Sequence, residues 1–297
     1  MPYRTPHLEL DYEGPVIRPP LESRSLILQV TVGCSHNRCR YCPAYRMKRF
    51  RIKEREIVAR DIRLAAEYGF ECVFLADGDA LIMPPARFIE ILTALKDAGL
   101  GKERVSTYAN VKSLKKRKTE ELQRYLELGL KRLYVGLESG SNEVLQWMNK
   151  GVTAEDTREN SIEAKRLGYE VSMTLPLGLG GRRLSNEHIL QTVSLLNEIQ
   201  PHHVRLLTLM IVPGTELAED VEANRFTPID RWESLEELRT LVAGIDFSTK
   251  LYANHISNYL PVKGTLPQDR EAILTRIEAA LESREPSLLR SDSFRGL

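Results

Sequence analysis

Thr31-Val32-Gly33-Cys34-Ser35-His36-Asn37-Arg38-Cys39-Arg40-Tyr41-Cys42 carries three of the four cysteines of this chain, spaced C-x4-C-x2-C. The segment follows directly on an apolar, β-type run, Leu26-Ile27-Leu28-Gln29-Val30. Thiolates on one short loop converge readily on a single soft metal centre, and cysteine is the usual iron–sulfur ligand. The number three is informative. A cubane 4Fe-4S cluster held by three cysteines leaves one iron open to a ligand from outside the protein. Structural zinc is the rival, since it takes four protein ligands and His36, inside the loop, can complete a Cys3His set. Three unligated thiols are the plainest alternative.

Outward from this loop, composition narrows the class. A chain of 297 residues with 42% hydrophobic and 28% charged side chains fits one large α/β domain or two small ones. A net charge of +1 exerts no global pull on nucleic acid. No apolar run reaches spanning length, and Met1-Pro2-Tyr3-Arg4-Thr5-Pro6 lacks the layout of a signal peptide. Cys72 sits in an apolar run and reads as a small packed hydrophobe. No disulfide framework is suggested, so a reducing cytoplasmic setting is expected. Between Arg38 and Arg55 stand eight basic residues against one acid, Glu54. This stretch reads either as an RNA or phosphate contact or as a solvated loop beside an anionic cofactor.

From residue 57 onward, helical spacing and short apolar runs alternate. Ile57, Val58, Ile62, Ala65 and Ala66 precede the strand Cys72–Ala76; Phe88, Ile89, Leu92 and Leu95 precede Val105–Tyr108; Leu122, Tyr125 and Leu126 precede Leu133–Leu137. A helix over 154–167 precedes Val171–Leu175, and Ile189, Val193, Leu196 and Ile199 precede His203–Leu209. This order argues for βα units and a parallel sheet. Periodicity alone equally permits a partial barrel, a closed eight-stranded barrel or a doubly wound sheet.

In parallel α/β barrels, chemistry collects on the loops that leave the strand C-termini. Here those loops hold Ala76-Asp77-Gly78-Asp79-Ala80, Tyr108-Ala109-Asn110, Gly136-Leu137-Glu138-Ser139-Gly140, Gly178-Leu179-Gly180-Gly181-Arg182-Arg183 and Val212-Pro213-Gly214-Thr215. Each also has an ordinary explanation: an Asx turn at Asp77–Asp79, a first-turn acid on a helix dipole for Glu138, a Pro-Gly turn at 213–214. Beyond residue 217, Leu235, Leu238, Leu241 and Val242 form a helix face, as do Ile273, Leu274, Ile277 and Leu281. Asn254-His255-Ile256-Ser257-Asn258-Tyr259 is a polar loop in which His255 is a candidate proton donor or a satisfied structural histidine. The tail from Ser283 is expected to fray.

Taken in order, the cysteine loop, Gly-Leu-Glu-Ser-Gly at 136–140 and Pro-Gly-Thr at 213–215 resemble the radical S-adenosylmethionine (SAM) superfamily. The motif style is nearest to its oxygen-independent coproporphyrinogen oxidase and elongator-type branches. The first cysteine gap is one residue longer than the family's common C-x3-C-x2-C, and Asp77-Gly78-Asp79 stands where Gly-Gly-Glu is usual. The resemblance implies a partial (β/α)6 TIM-like barrel over residues 25–217. Residues 1–24 read either as a disordered tail or, through the anchors Leu8, Leu10, Tyr12, Val16 and Ile17, as an N-terminal arm packed on that barrel, and the helix faces past 217 read as a helical C-terminal extension (218–297). It implies a 4Fe-4S cluster on Cys34, Cys39 and Cys42. SAM would chelate the open iron and be contacted by Tyr41, Asp77, Gly78, Asp79, Asn110, Glu138 and Ser139. Reductive cleavage to a 5′-deoxyadenosyl radical would follow, with hydrogen abstracted from substrate. Tyr108 and His255 are the remaining candidates for chemistry. The partners implied are a small-molecule substrate and a low-potential electron donor such as flavodoxin or ferredoxin. RNA or peptide modification and a non-catalytic metal scaffold are the alternatives. No second cysteine set remains for an auxiliary cluster.

Overall fold

Aliphatic runs too short for helices become strands here, and the amphipathic segments between them become the covering helices. The computed structural model describes residues 8–296. The first seven residues of the expected arm, and Leu297, lie outside the described residues. The fold is α/β, with a mostly parallel, open sheet of eight strands. The chain divides into two compact units.

The first unit comprises residues 1–37, 44–134 and 167–169. It contains β1 (Leu26–Gln29), β2 (Thr31–Val32), β3 (Arg51–Ile52), α1 (Arg55–Ala66), β4 (Cys72–Ala76), α2 (Pro85–Asp97), β5 (Arg104–Ala109), α3 (Val111–Leu114), α4 (Thr119–Glu127) and most of β6 (Leu130–Gly136). β1, β4 and β5 pair in parallel, with Leu26 opposite Val73 and Cys72 opposite Arg104. Val73, Phe74 and Leu75 are fully buried, as strands covered on both faces require. β2 and β3 form a separate antiparallel ladder, with Thr31 opposite Ile52. In the described part of the arm, Tyr12 and Ile17 are exposed, and contacts with the rest of the unit include those of a hydroxyl and two other side chains. Tyr12 donates its hydroxyl to Ile27 O at 2.6 Å, and Val16 and Leu21 lie on a core of Phe74, Ala76 and Tyr134. Glu22 is wholly buried. Burial opposes its ionisation, but Ser25, Tyr134, Arg104 and Arg132 outweigh that and hold its carboxyl below the ordinary value.

The second unit comprises residues 38–43, 135–166 and 170–297. It contains the end of β6, then α5 (Asn142–Trp147), α6 (Ala154–Leu167), β7 (Glu170–Leu177), α7 (Gly181–Ile199), β8 (His203–Thr208), α8 (Glu216–Glu222), α9 (Arg231–Gly244), β9 (Thr249–Ala253), β10 (Val262–Leu266) and α10 (Arg270–Ser283). β7, β8 and β9 run parallel, and β10 returns antiparallel to β9, with Val262 opposite Ala253. The C-terminal extension is therefore not simply helical. Its helices α9 and α10 bury the faces expected, including Leu235, Leu238, Leu241, Val242, Ile273 and Ile277. Between them, Thr249, Leu251 and Ala253 alternate inward as a further strand. The tail does not fray within the described residues. Arg290 donates to His255 O at 2.6 Å and Arg295 to Ser257 O at 2.7 Å, while the Arg295 guanidinium lies 3.8 Å from the Tyr259 ring centroid.

Candidate functional site

In the first unit the loop leaving β4 folds against the start of the cysteine loop. Asp77 is fully buried. Its Oδ2 accepts from the Gly33 N–H at 3.2 Å and from Lys48 Nζ at 3.0 Å, and its own N–H donates to Thr31 Oγ1 at 3.1 Å. Gly78 N–H donates to Gly33 O at 3.1 Å. A Cβ at Gly78 would stand 2.8 Å from the Tyr45 ring and 2.9 Å from Cys34 Cβ, so only glycine permits this approach. Asp79 bonds Ser35, beside Cys34, and accepts from Ser113 Oγ at 2.6 Å. Burial raises its carboxyl above the ordinary value despite those bonds. Asp77 Oδ1 and Asp79 Oδ1 are both buried with no hydrogen-bond partner. Asn110 caps α3, its Oδ1 accepting from Lys112 N at 3.0 Å. Tyr108 is half-buried and meets Phe74 edge-on at 5.1 Å. His36, zinc's possible fourth ligand, has its Nδ1 3.0 Å from Lys112 Nζ.

In the second unit, residues 38–43 bring Cys39 and Cys42 beside Tyr41 and Glu138. Tyr41 packs against the core of Val144, Met148, Leu179, Leu184, Leu217 and Phe226. Burial, then Glu138 and the thiols of Cys39 and Cys42, push its hydroxyl well above the ordinary value. Glu138 adopts φ +63°, a left-handed conformation that non-glycine residues rarely take. Its Oε1 accepts from Lys150 Nζ at 2.7 Å, with both side chains largely buried. A Cβ on Gly136 would fall 2.3 Å from that same Oε1. Ser139 faces inward and is fully buried. Its Oγ lies 2.8 Å from His188 Nδ1 and accepts from Ser141 N at 3.0 Å. Burial lowers the His188 imidazole to about 4.

His255 sits in the loop after β9, away from the residues above in sequence. Its Nδ1 lies 2.9 Å from Ser257 Oγ and accepts from Ser257 N at 3.2 Å. Burial, Arg205 and Arg290 lower its pKa, so near neutral pH it is the uncharged, satisfied histidine. The basic stretch is largely spent on internal pairs: Lys48 with Asp77, Arg51 with Glu13, Lys53 with Asp11, and Arg55 with Glu90 in the first unit, and Arg40 with Glu216 and Asp220 in the second. Three residues that bear on the site had no distinctive sequence signal: Lys150, His188 and Glu237. Glu237, on α9, accepts from Gly178 N at 2.7 Å and Ser185 Oγ at 2.6 Å, and burial raises it to about 7.

Cys34, Cys39 and Cys42 are partly exposed, and no disulfide joins them. Among the described residues, no three or more His, Cys, Asp or Glu side chains already stand together as a metal-holding group. No helix among them is long and apolar enough to cross a membrane.

Comparison with known proteins places these features in a family. The chain is 27% identical over 118 residues to the tRNA uridine(34) acetyltransferase of Methanocaldococcus infernus, a match that covers 39% of this chain and 22% of that protein. Coproporphyrinogen III oxidase of Escherichia coli, a radical SAM enzyme, superposes with a TM-score of 0.56 at 15% identity, over 74% of this chain and 51% of that one. The radical SAM methyltransferase TsrM of Kitasatospora setae, solved with tryptophan and a SAM analogue, gives 0.56 at 17% identity, over 67% and 39%. TsrM has also been solved with cobalamin and a [4Fe-4S] cluster. At such identities the structures attest to the fold alone, and this chain spans from about a fifth to a half of the proteins named here. The model of the radical SAM superfamily matches residues 28–196. That segment is more than half of the chain and takes in the three cysteines, Asp77 to Asp79 and Glu138; the chain belongs to the radical SAM superfamily, whose members are enzymes that generally bind a 4Fe-4S cluster and cleave SAM.

Proposed function

We propose that Cys34, Cys39 and Cys42 hold a three-cysteine 4Fe-4S cluster, and that the protein uses it to cleave SAM reductively and oxidise or rearrange a small molecule. The observation that carries this is the trio itself: three thiols within nine residues, without a fourth, in a chain of this superfamily. The donor chemistry fits, since all three cysteines are accessible and unbridged and cysteine thiolate is the ligand such clusters take. Such a cluster with SAM supplies a 5′-deoxyadenosyl radical competent to abstract hydrogen.

The chain's own residues have separable tasks in this reading. Asp77 and Lys48 fix the Gly33 turn from which Cys34 projects. Gly78 admits the close approach of Cys34 and Tyr45. Asp77 Oδ1 and Asp79 Oδ1, buried and unpartnered, are acceptors suited to an ammonium group such as that of SAM. Tyr41 offers a ring beside Cys42, and Glu138, held by Lys150, offers a carboxylate to SAM hydroxyls. Asn110, Ser139 and Tyr108 remain candidates whose side chains already serve caps and packing. A low-potential donor of the flavodoxin or ferredoxin kind would deliver the electron.

A small-molecule substrate is favoured because five of the eight cations in the basic stretch, Arg40, Lys48, Arg51, Lys53 and Arg55, are already engaged by acids of the chain itself. RNA modification is the second reading, supported by the likeness to the tRNA-modifying acetyltransferase. Salt-dependent RNA binding would distinguish the two. The direct test is anaerobic reconstitution followed by reduction with SAM present. Iron and sulfide near four per chain and 5′-deoxyadenosine are expected, and Cys34→Ala, Cys39→Ala or Cys42→Ala should each abolish both. A reconstituted protein that binds zinc and yields no 5′-deoxyadenosine would overturn the proposal.

A further inference from the structure

We infer that Arg40 and the acids of α8 form a clamp that presets the segment between Cys39 and Cys42, so that cluster retention depends on Glu216 and Asp220, far along the chain. The inference rests on the cluster reading above and assigns these side chains a positioning role toward it.

Four links converge on the one residue that follows Cys39. The Arg40 N–H donates to Met148 O at 3.0 Å, at the end of α5. The Arg40 carbonyl accepts from the Leu217 N–H at 3.1 Å. Leu217 lies in the first turn of α8, where backbone donors have no partner inside the helix. Arg40 Nε reaches Glu216 Oε2 at 3.2 Å, and Arg40 Nη1 reaches Asp220 Oδ2 at 2.7 Å. Glu216 and Asp220 stand four residues apart on α8 and so share one face. The backbone of the segment is therefore tied on both sides and its side chain is gripped at two points.

This is not an ordinary surface pair, which would contribute little. The Asp220 side chain is only 2% exposed, and its second oxygen, Oδ1, takes Arg225 Nε at 2.7 Å. One buried carboxylate is thus shared by two guanidinium groups, and neutralising it releases Arg225 and the shorter of the two grips on the Arg40 side chain. The start of α8 is itself built by the Pro-Gly-Thr segment. Thr215 donates its hydroxyl to Val212 O at 2.7 Å and accepts from the Ala218 N–H at 3.3 Å, capping the helix. The segment that reads as a simple turn in the sequence therefore aims two acids at the thiolate loop. Partners outside the ligand set commonly govern retention of a metal group in this way.

The experiment measures loss of iron from the anaerobically reconstituted protein to a strong ferrous chelator, with circular dichroism and thermal melting of the metal-free chain alongside. Asp220→Asn and Arg40→Gln are expected to lose iron roughly ten- to a hundred-fold faster than the parent while the metal-free chains keep the parent's spectrum. Arg40→Lys, which restores a cation able to reach one acid, should fall between. Glu216→Gln, at a more exposed position, gives a smaller acceleration and keeps the test decisive if Asp220→Asn does not fold. A parent that loads normally, with all four variants releasing iron at its rate, overturns this inference alone. A parent that takes up no cluster overturns the reading beneath it as well.

Discussion

Glu138 is, at the scale of a single residue, where the backbone departs from the ordinary in the loop proposed to meet SAM. A glutamate at φ +63° is in a conformation that costs of the order of 1–3 kcal/mol, and such residues collect at functional sites. What holds it there is visible: Lys150 takes its Oε1, and Gly136 leaves room that any Cβ would fill. Glu138→Gln keeps shape and backbone while removing the charge. SAM binding to the reconstituted protein should weaken by about tenfold, equivalent to roughly 1.4 kcal/mol, in an equilibrium binding measurement. Unchanged affinity would remove Glu138 from the site. Gly136→Ala should weaken binding at least as much by displacing the same carboxylate, though neither functional atom is altered. Glu138 is a candidate from the sequence because Gly-Leu-Glu-Ser-Gly is a motif. Lys150 is not, because nothing about an isolated lysine twelve residues on tells where its amine lands.

At the scale of elements, α9 illustrates which half of a helix a sequence displays. Its apolar face, Leu235, Leu238, Leu241 and Val242, follows from spacing and is buried. Glu237 lies among charged neighbours and carries no signal of its own in the sequence; it is 2% exposed and holds the loop after β7 through Gly178 and Ser185. Its carboxyl is raised by burial from 4.5 to about 7. Between those two pH values the folded chain holds a proton that the unfolded chain has released, so stability falls as pH rises through that window and levels off above it. Glu237→Gln removes this dependence. In urea unfolding, the difference between parent and variant should therefore shift in the variant's favour from pH 5 to pH 8, by up to roughly 3 kcal/mol. A difference independent of pH would contradict the assigned protonation. Strands β9 and β10 escaped notice for a related reason. Thr249–Ala253 and Val262–Leu266 hold few large apolar residues, and their pairing is set by neighbours distant in sequence, a term that local propensity does not contain. For His255 the sequence leaves a proton donor and a satisfied histidine both open; the bond with Ser257, and burial followed by Arg205 and Arg290, favour the satisfied, neutral one.

At the scale of the molecule, the alternation of strands and helices was enough for an α/β reading with a parallel sheet, but not for the choice between an open and a closed one. That choice came from resemblance, and the open eight-stranded sheet agrees with it. The basic stretch at 38–55 shows why charge counted along a chain is a poor guide to partners. Asp11, Glu13, Asp77 and Glu90 engage both of its lysines and two of its six arginines from positions that no local window joins. The central claim is that three thiolates leave one iron of four for SAM, and Mössbauer spectroscopy of the 57Fe-reconstituted protein tests it most directly. Addition of SAM is expected to change the signal of one iron in four and leave the other three as they were. A spectrum indifferent to SAM, with all four irons equivalent before and after, would contradict it.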